Sequence, residues 1–381
     1  MIDGFCNPKF DAVEAAFDAN FTQGTDLGAS VAVIHRGEVV VDLWGGHTDA
    51  TKSTEWGRDT LINVWSTTKT MTALCMLILM DRSELDPDAP VAKYWPEFEA
   101  NGKGNVLIRH IMSHTAGLPG WDEKIDVSVL FDWDRACALL AAQPTWWEPG
   151  TASGYHATSQ GFLCGEVVRR VTGLTLGHFF AREVAGPTGA DFHIGTSQAQ
   201  DHRVISVIPP EPTAGFAGLP ADAVIPPEFE IAHRTFTNPQ TQAEVSFTIP
   251  WRRAELPAVG GHGNARSVAV AQHAVSHGGL AFGRRILSPN ATDVIFREQH
   301  TGIDRVLFSP LHHGIGYALP GELRPLPSAR AVWWAGWGGS LCVNDLDEGF
   351  TFAYVMNRML PGTFGDQRSS GLLTALYRSL G

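Results

Sequence analysis

Lysine is scarce in this chain: only six of 381 residues are lysine, and none follows Lys124. No basic run or stripe appears and the net charge is −12, so a nucleic-acid partner has little support. Charge of this sign favours solubility and leaves the fold open. Cysteine is sparse too. Cys6, Cys75, Cys137, Cys164 and Cys342 are odd in number and form no C-x-x-C pair, which points to buried reduced thiols and a reducing compartment. The longest apolar run, Ala73 to Met80, is far too short to cross a bilayer. The opening MIDGFCNPKF carries Asp3 and Pro8 where a secretory peptide would be basic and then apolar, so a cytoplasmic location is expected. There is no H-E-x-x-H, no G-x-S-x-G, no Walker loop and no G-x-G-x-x-G. These gaps argue against a zinc hydrolase, an ordinary α/β-hydrolase and a nucleotide-binding enzyme. Neither a metal nor a cofactor is expected, and His114 and the pair His312-His313 read as structural or surface residues.

What is present builds an ordinary globular protein, 44% hydrophobic and 18% charged. Residues 9–22 show helical spacing, and 29–44 read as a hairpin turning at Arg36-Gly37. A helix is predicted over Thr67–Met80. Helical patches follow at Val106–His114, Asp134–Gln143, Ala157–Val171 and Leu176–Glu183, alternating with Pro- and Gly-rich loops. Ile208–Pro250 reads as a long surface excursion. Further helices are predicted at Ser267–His277, Ser288–Arg297 and 367–380. Strands are predicted at Ile315–Leu319, Ala331–Trp334, Ser340–Asp345 and Phe350–Met356. Strands at both ends with helices between imply one α/β domain formed by residues 1–86 and 255–381, with a mostly helical inserted domain at 87–254. The oligomeric state is left open.

Three segments carry chemistry. Ser66 and Lys69, in WSTTKT, form the single S-x-x-K of the chain. Helical spacing stacks these side chains one turn apart, so the amine can reach the hydroxyl. The apolar neighbours Val64, Trp65, Met71, Leu74 and Cys75 imply a partly buried lysine, whose lowered pKa lets it act as a base. Tyr155 lies in EPGTASGYHATSQG, at a loop-to-helix junction from which a phenol can point into a cleft and relay protons. WWAGWGGS, Trp333 to Ser340, places glycines on a strand, where backbone and ligand approach closely. Each segment also has a plain reading: a helix-capping serine, a packing tyrosine, a bend in a sheet.

In this order the three segments resemble the serine β-lactamase-like, penicillin-recognising hydrolases, and most of all the family VIII carboxylesterases. The likeness extends to SVAVIHRGEVVVDLWGG, IRHIMSHTAGLP and GHGNARSVAVAQHAVSHGG and is weakest from about 190 to 255. It implies a β-lactamase/transpeptidase-like fold, an antiparallel sheet with flanking helices. Ser66 would be the acyl-accepting nucleophile, with Lys69 and Tyr155 as its proton-handling pair. The N–H groups of Ser66 and Trp337 would form the oxyanion hole. Trp334-Ala335-Gly336 would stand in for the family's Lys-Thr-Gly, with Trp65, His156, Trp334 and Gly336 at the substrate. Two departures stand out. Ala157 fills a place usually held by Asn or Ser, and Trp334 one usually held by Lys or His. A tryptophan cannot pair with the carboxylate of a β-lactam or a cell-wall peptide.

These changes favour an uncharged, short-chain carboxylic ester as the small-molecule substrate. Two other readings remain at this point. One is an amide hydrolase of the same fold, a β-lactamase or D-amino peptidase. The other is a catalytically inactive binding protein.

Overall fold

The computed structural model describes residues 2–211 and 224–381. Its largest sheet has six antiparallel strands in the order β1-β3-β2-β13-β12-β11. They are β1 (Ile2–Cys6), β2 (Gly28–His35), β3 (Glu38–Gly46), β11 (Ala331–Ala335), β12 (Leu341–Asp345) and β13 (Phe350–Met356). Both ends of the chain therefore share one sheet, joined where Phe350–Met356 pairs with Ala29–His35. Every residue of β11, β12 and β13 is buried, as a sheet covered on both faces requires. On its faces lie α1 (Asp11–Thr22), α10 (Ala265–Ser276) and α11 (Gln367–Leu380).

Next to this layer sits α2 (Thr68–Asp81), extended at its start by a 3-10 turn over Trp65–Thr67. All of α2 from Thr68 to Leu79 is buried. A helix buried all round belongs inside, and this one is the spine of the molecule, its buried polar residues gathered in the first turns. Against it pack α5 (Ser159–Thr172) and α6 (Leu176–Phe180), which runs through a π-helical stretch into α7 (Gly186–Thr188), while α3 (Ile108–Met112) and α4 (Trp133–Ala142) pack in turn against α5. Further along come α8 (Glu230–Thr237) and α9 (Ile249–Arg253). A small sheet of β4 (Ile62–Asn63), β6 (Gly261–Gly263) and β5 (His193–Ile194) ties the segment before α2 to the chain before α10. Two hairpins complete the inventory: β7 (Leu280–Ala281) with β8 (Arg284–Arg285), and β9 (His300–Ile303) with β10 (Pro310–His313).

Three expectations need correction. The helix expected over Ser288–Arg297 is only a 3-10 turn, Asp293–Phe296. Ser288 is instead held by α2, its N–H donating to Asp81 Oδ2 at 2.7 Å, and Pro289 follows in a polar turn. Ile315–Leu319 is not a strand, because Ala318 alone bridges His313 and Trp333. Gly316, at φ +83°, turns the chain away there, and a side chain on it would press on Ala73 of α2. The opening strand β1 was not expected. It is an edge strand with a mixed burial pattern and Gly4 at its centre, so it lacks the apolar alternation of a half-buried strand. Part of the Ile208–Pro250 excursion, residues 212–223, lies outside the described residues, and the rest holds α8 and short turns.

Candidate active site

Ser66 sits in the 3-10 turn that opens α2, and several main-chain ties fix that turn. Val64 N–H donates to Gly261 O, and the Thr68 hydroxyl donates to Trp65 O while accepting from Gly261 N–H. From the other side, Ser340 Oγ donates to Val64 O at 2.9 Å and lies 2.9 Å from Thr67 Oγ1. Trp65 adopts φ +50°, a left-handed conformation that costs a non-glycine residue roughly 1–2 kcal/mol. Backbone strain of this kind concentrates where function over-determines the geometry.

Lys69 is 1% exposed. Its Nζ donates to Ala157 O at 2.7 Å and Ala258 O at 3.1 Å and stands 3.2 Å from Ser66 Oγ. Burial holds its pKa well below the ordinary lysine value, with the Cys164 thiol pulling weakly the other way. Tyr155 comes from the loop before α5, and its hydroxyl donates to Ser66 Oγ at 2.6 Å. The Lys69 amine lies 4.8 Å from the centre of its ring. Burial pushes the phenol pKa upward, while hydrogen bonds with Ser66 and Trp334 pull it partly back. One hydroxyl thus touches both a phenol and an amine. Ser66 Oγ can lose its proton to one neighbour while bonded to the other, and this is the arrangement that activated nucleophiles need.

The strand edge comes close as well. β11 is the outer strand of the large sheet, and the chain leaves it at Gly336. A Cβ on Gly336 would collide with Val64 O and Ser340 Oγ and stand 3.2 Å from Ser66 N, so only glycine lets the strand pass this near. Neither Ser66 N–H nor Trp337 N–H takes part in a hydrogen bond among the described residues. The Trp337 ring packs edge-on against Trp65 at 5.0 Å, and Trp65 meets Trp251 at 5.6 Å.

A sequence profile of the Beta-lactamase family matches residues 17–375. The chain belongs to that family. Within the beta-lactamase family it is 34% identical to "Esterase/beta-lactamase LipL" of Mycobacterium tuberculosis, over 94% of this chain and 83% of that protein. It is 32% identical to "Esterase EstB" of Burkholderia gladioli, over 46% and 49%. Among solved structures, a family VIII carboxylesterase superposes with TM-score 0.92 at 40% identity over the full length of both chains. A penicillin-binding protein homologue from Caulobacter crescentus superposes with TM-score 0.90 at 37% identity, again over both full lengths. The fold is the β-lactamase/transpeptidase-like fold, with its antiparallel sheet and flanking helices.

Set on this beta-lactamase fold, the residues expected at the site do not all reach it. Ser66, Lys69 and Tyr155 meet, and Gly336 and Trp337 pass beside Ser66. Trp334 is buried, stacked on His114 at 5.1 Å and near Tyr155 at 5.8 Å, so it backs the phenol. Trp65 is buried between two other indoles. His156 departs from expectation. It is fully buried, its Nδ1 pairs with Gly154 O at 2.6 Å, and its Nε2 accepts from Leu118 N–H at 3.1 Å. Both ring nitrogens are spent on main chain, and burial lowers its pKa to about 3, so it holds the Tyr155 loop and offers a substrate nothing polar. The main-chain oxygens of Ala157 and Ala258 were missed, because a carbonyl leaves no mark in a sequence. Ala157 thus has a polar role at the site through its backbone.

Proposed function

We propose that this protein is a serine carboxylesterase that hydrolyses small carboxylic esters through an acyl-enzyme on Ser66. One observation carries the reading: Ser66 Oγ lies 2.6 Å from the Tyr155 hydroxyl and 3.2 Å from Lys69 Nζ, all within the protein interior. The esterase names among its relatives support the ester as substrate class.

The proton inventory gives each group a role. A neutral amine has two N–H donors and one lone pair. Ala157 O and Ala258 O take the donors, which leaves the lone pair for the Ser66 proton. Burial favours this neutral form and also keeps Tyr155 a neutral phenol, whose proton points at Ser66. As Ser66 Oγ attacks the ester carbonyl, its proton passes to Lys69. The oxyanion is held by the N–H groups of Ser66 and Trp337. Tyr155 then gives its proton to the departing alkoxide, and the Lys69 ammonium beside its ring stabilises the phenolate. In the second half the phenolate takes a proton from water, and the resulting hydroxide attacks the acyl group. Lys69 returns its proton to Ser66 Oγ as that bond breaks. Both groups end as they began.

With Trp334 buried where the family pattern has a cation, an uncharged ester with a short acyl chain suits this site. The five cysteines are all free, which supports a cytoplasmic, reducing setting. No helix among the described residues is long and apolar enough to cross a membrane. Residues 87–254 act in this reading as a helical cover over the α/β domain, contributing Tyr155 from one side of the cleft.

The test is turnover of a short-chain nitrophenyl ester by the wild type and by Ser66→Ala, with fluorophosphonate labelling mapped by mass spectrometry. Turnover that survives Ser66→Ala, or a label on another residue, sinks the assignment. A chromogenic cephalosporin is the competing substrate. Efficiency on it above that on the ester would move the reading to amide hydrolysis.

A further inference from the structure

Tyr155 is held from two sides. The segment around it lies outside helix and strand, and its successive N–H groups bond alternately to His114 and to Asp304. On one side Gly154 N–H donates to His114 O at 3.0 Å and His156 N–H to His114 Nδ1 at 3.1 Å. His114 belongs to SHTAGLP, a motif prominent in the sequence, and it reaches this position with φ +61°. On the other side Tyr155 N–H donates to Asp304 Oδ1 at 3.0 Å, and Arg305 N–H donates to Ser153 O at 3.0 Å.

Asp304 follows β9 at the tip of the β9–β10 hairpin. Its Oδ1 also accepts from Val306 and Leu307 N–H, each at 2.9 Å, which shapes the tip. A side chain that only capped this turn would sit in water, as such residues usually do. Asp304 is instead completely buried, with the Ser153 hydroxyl the side chain beside its carboxyl. Burying a carboxyl in this way is costly. The bond that sets it apart from a local cap is the one that crosses 149 residues to Tyr155 N–H.

We infer that Asp304 is a positioning residue for the reaction: from the hairpin tip it fixes the Tyr155 main chain and so holds the phenol at hydrogen-bond distance from Ser66. The inference rests on the carboxylesterase reading for its kinetic consequence, but the clamp itself can be read without turnover. With the Asp304 bond gone, His114 still holds residues 154 and 156. Tyr155 keeps its fold and loses its register with Ser66. A misplacement of about 1 Å at a reacting group costs about 100-fold in rate. Asn at 304 keeps an oxygen where Oδ1 stands and can accept the same three N–H groups, whereas Ala cannot.

The test uses Asp304→Asn and Asp304→Ala in the full chain. The protein has five tyrosines, so 15N-tyrosine labelling gives five backbone amide signals, and loss of one in Tyr155→Phe identifies that of residue 155. The Tyr155 amide should move in both variants, and the Tyr94 amide should stay. In ester turnover Asp304→Ala should lose about 10- to 100-fold in kcat with KM within about 2-fold, and Asp304→Asn should recover most of that loss. An unmoved Tyr155 amide overturns the inference, and so does an unchanged kcat in Asp304→Ala. If Asp304→Ala does not fold, the same two readouts on Asp304→Asn against Asp304→Glu decide. Glu should displace the Tyr155 amide further and lower kcat, and equal behaviour of the two would overturn the clamp. A responsive Tyr155 amide in a protein without Ser66-dependent turnover would sink the esterase reading and leave the clamp standing.

Discussion

Two lysines are buried in this protein, and only one of them faces a hydroxyl. Lys69 and Lys103 are 1% and 0% exposed. Each amine donates to two main-chain carbonyls, Ala157 O and Ala258 O for Lys69, Ala100 O and Gln143 O for Lys103. Each lies over an aromatic ring, Tyr155 at 4.8 Å and Phe98 at 5.3 Å. Burial lowers both pKa values. The difference is the third neighbour. Lys69 has Ser66 Oγ at 3.2 Å, while Lys103 has no comparable hydroxyl among the described residues and serves to fasten the 3-10 segment Pro96–Asn105 to the end of α4. A buried amine on carbonyls is thus a structural device by default, and an adjacent proton to accept turns it into a base.

Removing the amine from each place should break this symmetry most sharply. Lys69→Ala should lower kcat by about 10³-fold or more, toward the level of Ser66→Ala. Lys103→Met should leave kcat within about 2-fold and lower the melting temperature instead. Steady-state kinetics and thermal unfolding on both variants check the contrast. Equal kinetic losses would mean that the Lys69 surroundings hold nothing special. Next in size is Tyr155→Phe, which keeps the ring over Lys69 and deletes only the hydroxyl that donates to Ser66. A loss of about 10²-fold in kcat, read in burst and steady-state phases, is expected if Tyr155 is the acid for the departing alcohol.

A smaller effect is expected at the strand edge. Gly336→Ala puts a methyl against Val64 O and Ser340 Oγ and pushes β11 away from Ser66. The variant should fold, label slowly with a fluorophosphonate and lose about 10-fold or more in kcat. Normal labelling would show that the oxyanion donors do not depend on this close approach.

How much of this was legible in the sequence follows from what each residue leaves there. Ser66 and Lys69 are three residues apart on a helix, so local geometry alone brings them together. Tyr155 is 89 residues from Ser66. Its loop-to-helix setting hinted at a cleft, and the family resemblance supplied its partner. The sheet strands from β11 to β13 are mostly apolar and read cleanly. The short edge strand β1 did not, since its pairing partner and not its own pattern makes it a strand. The family resemblance put His156 at the substrate. Its ring is instead drawn into the interior by Leu118 N–H and Gly154 O, main-chain partners that leave no mark in the sequence. Asp304 left no signal, because an Asp after a strand is ordinary and only the tertiary fold brings it to Tyr155.

The finest test of the two lysines is their response to pH. Burial lowers the Lys103 pKa to about 8 in the folded protein, against an ordinary value of 10.5, with Asp122 opposing the shift. Below about pH 8 the folded state must carry this cation where water cannot reach it, and the penalty is complete. Between about pH 8 and 10.5 the folded amine is neutral while the unfolded one still binds a proton. The unfolded state then holds more protons, so stability rises with pH and the penalty disappears above that window. Wild type should therefore gain on Lys103→Met in melting temperature as pH goes from 8 to 10. Lys69 should appear in kinetics as well. Its lowered pKa means that ester turnover falls on the acid side as the amine takes up a proton and loses the lone pair that faces Ser66, at a pH below the ordinary lysine range. Lys103→Met should leave that acid limb where it is, and a limb that moved with residue 103 would show that the two buried amines are coupled.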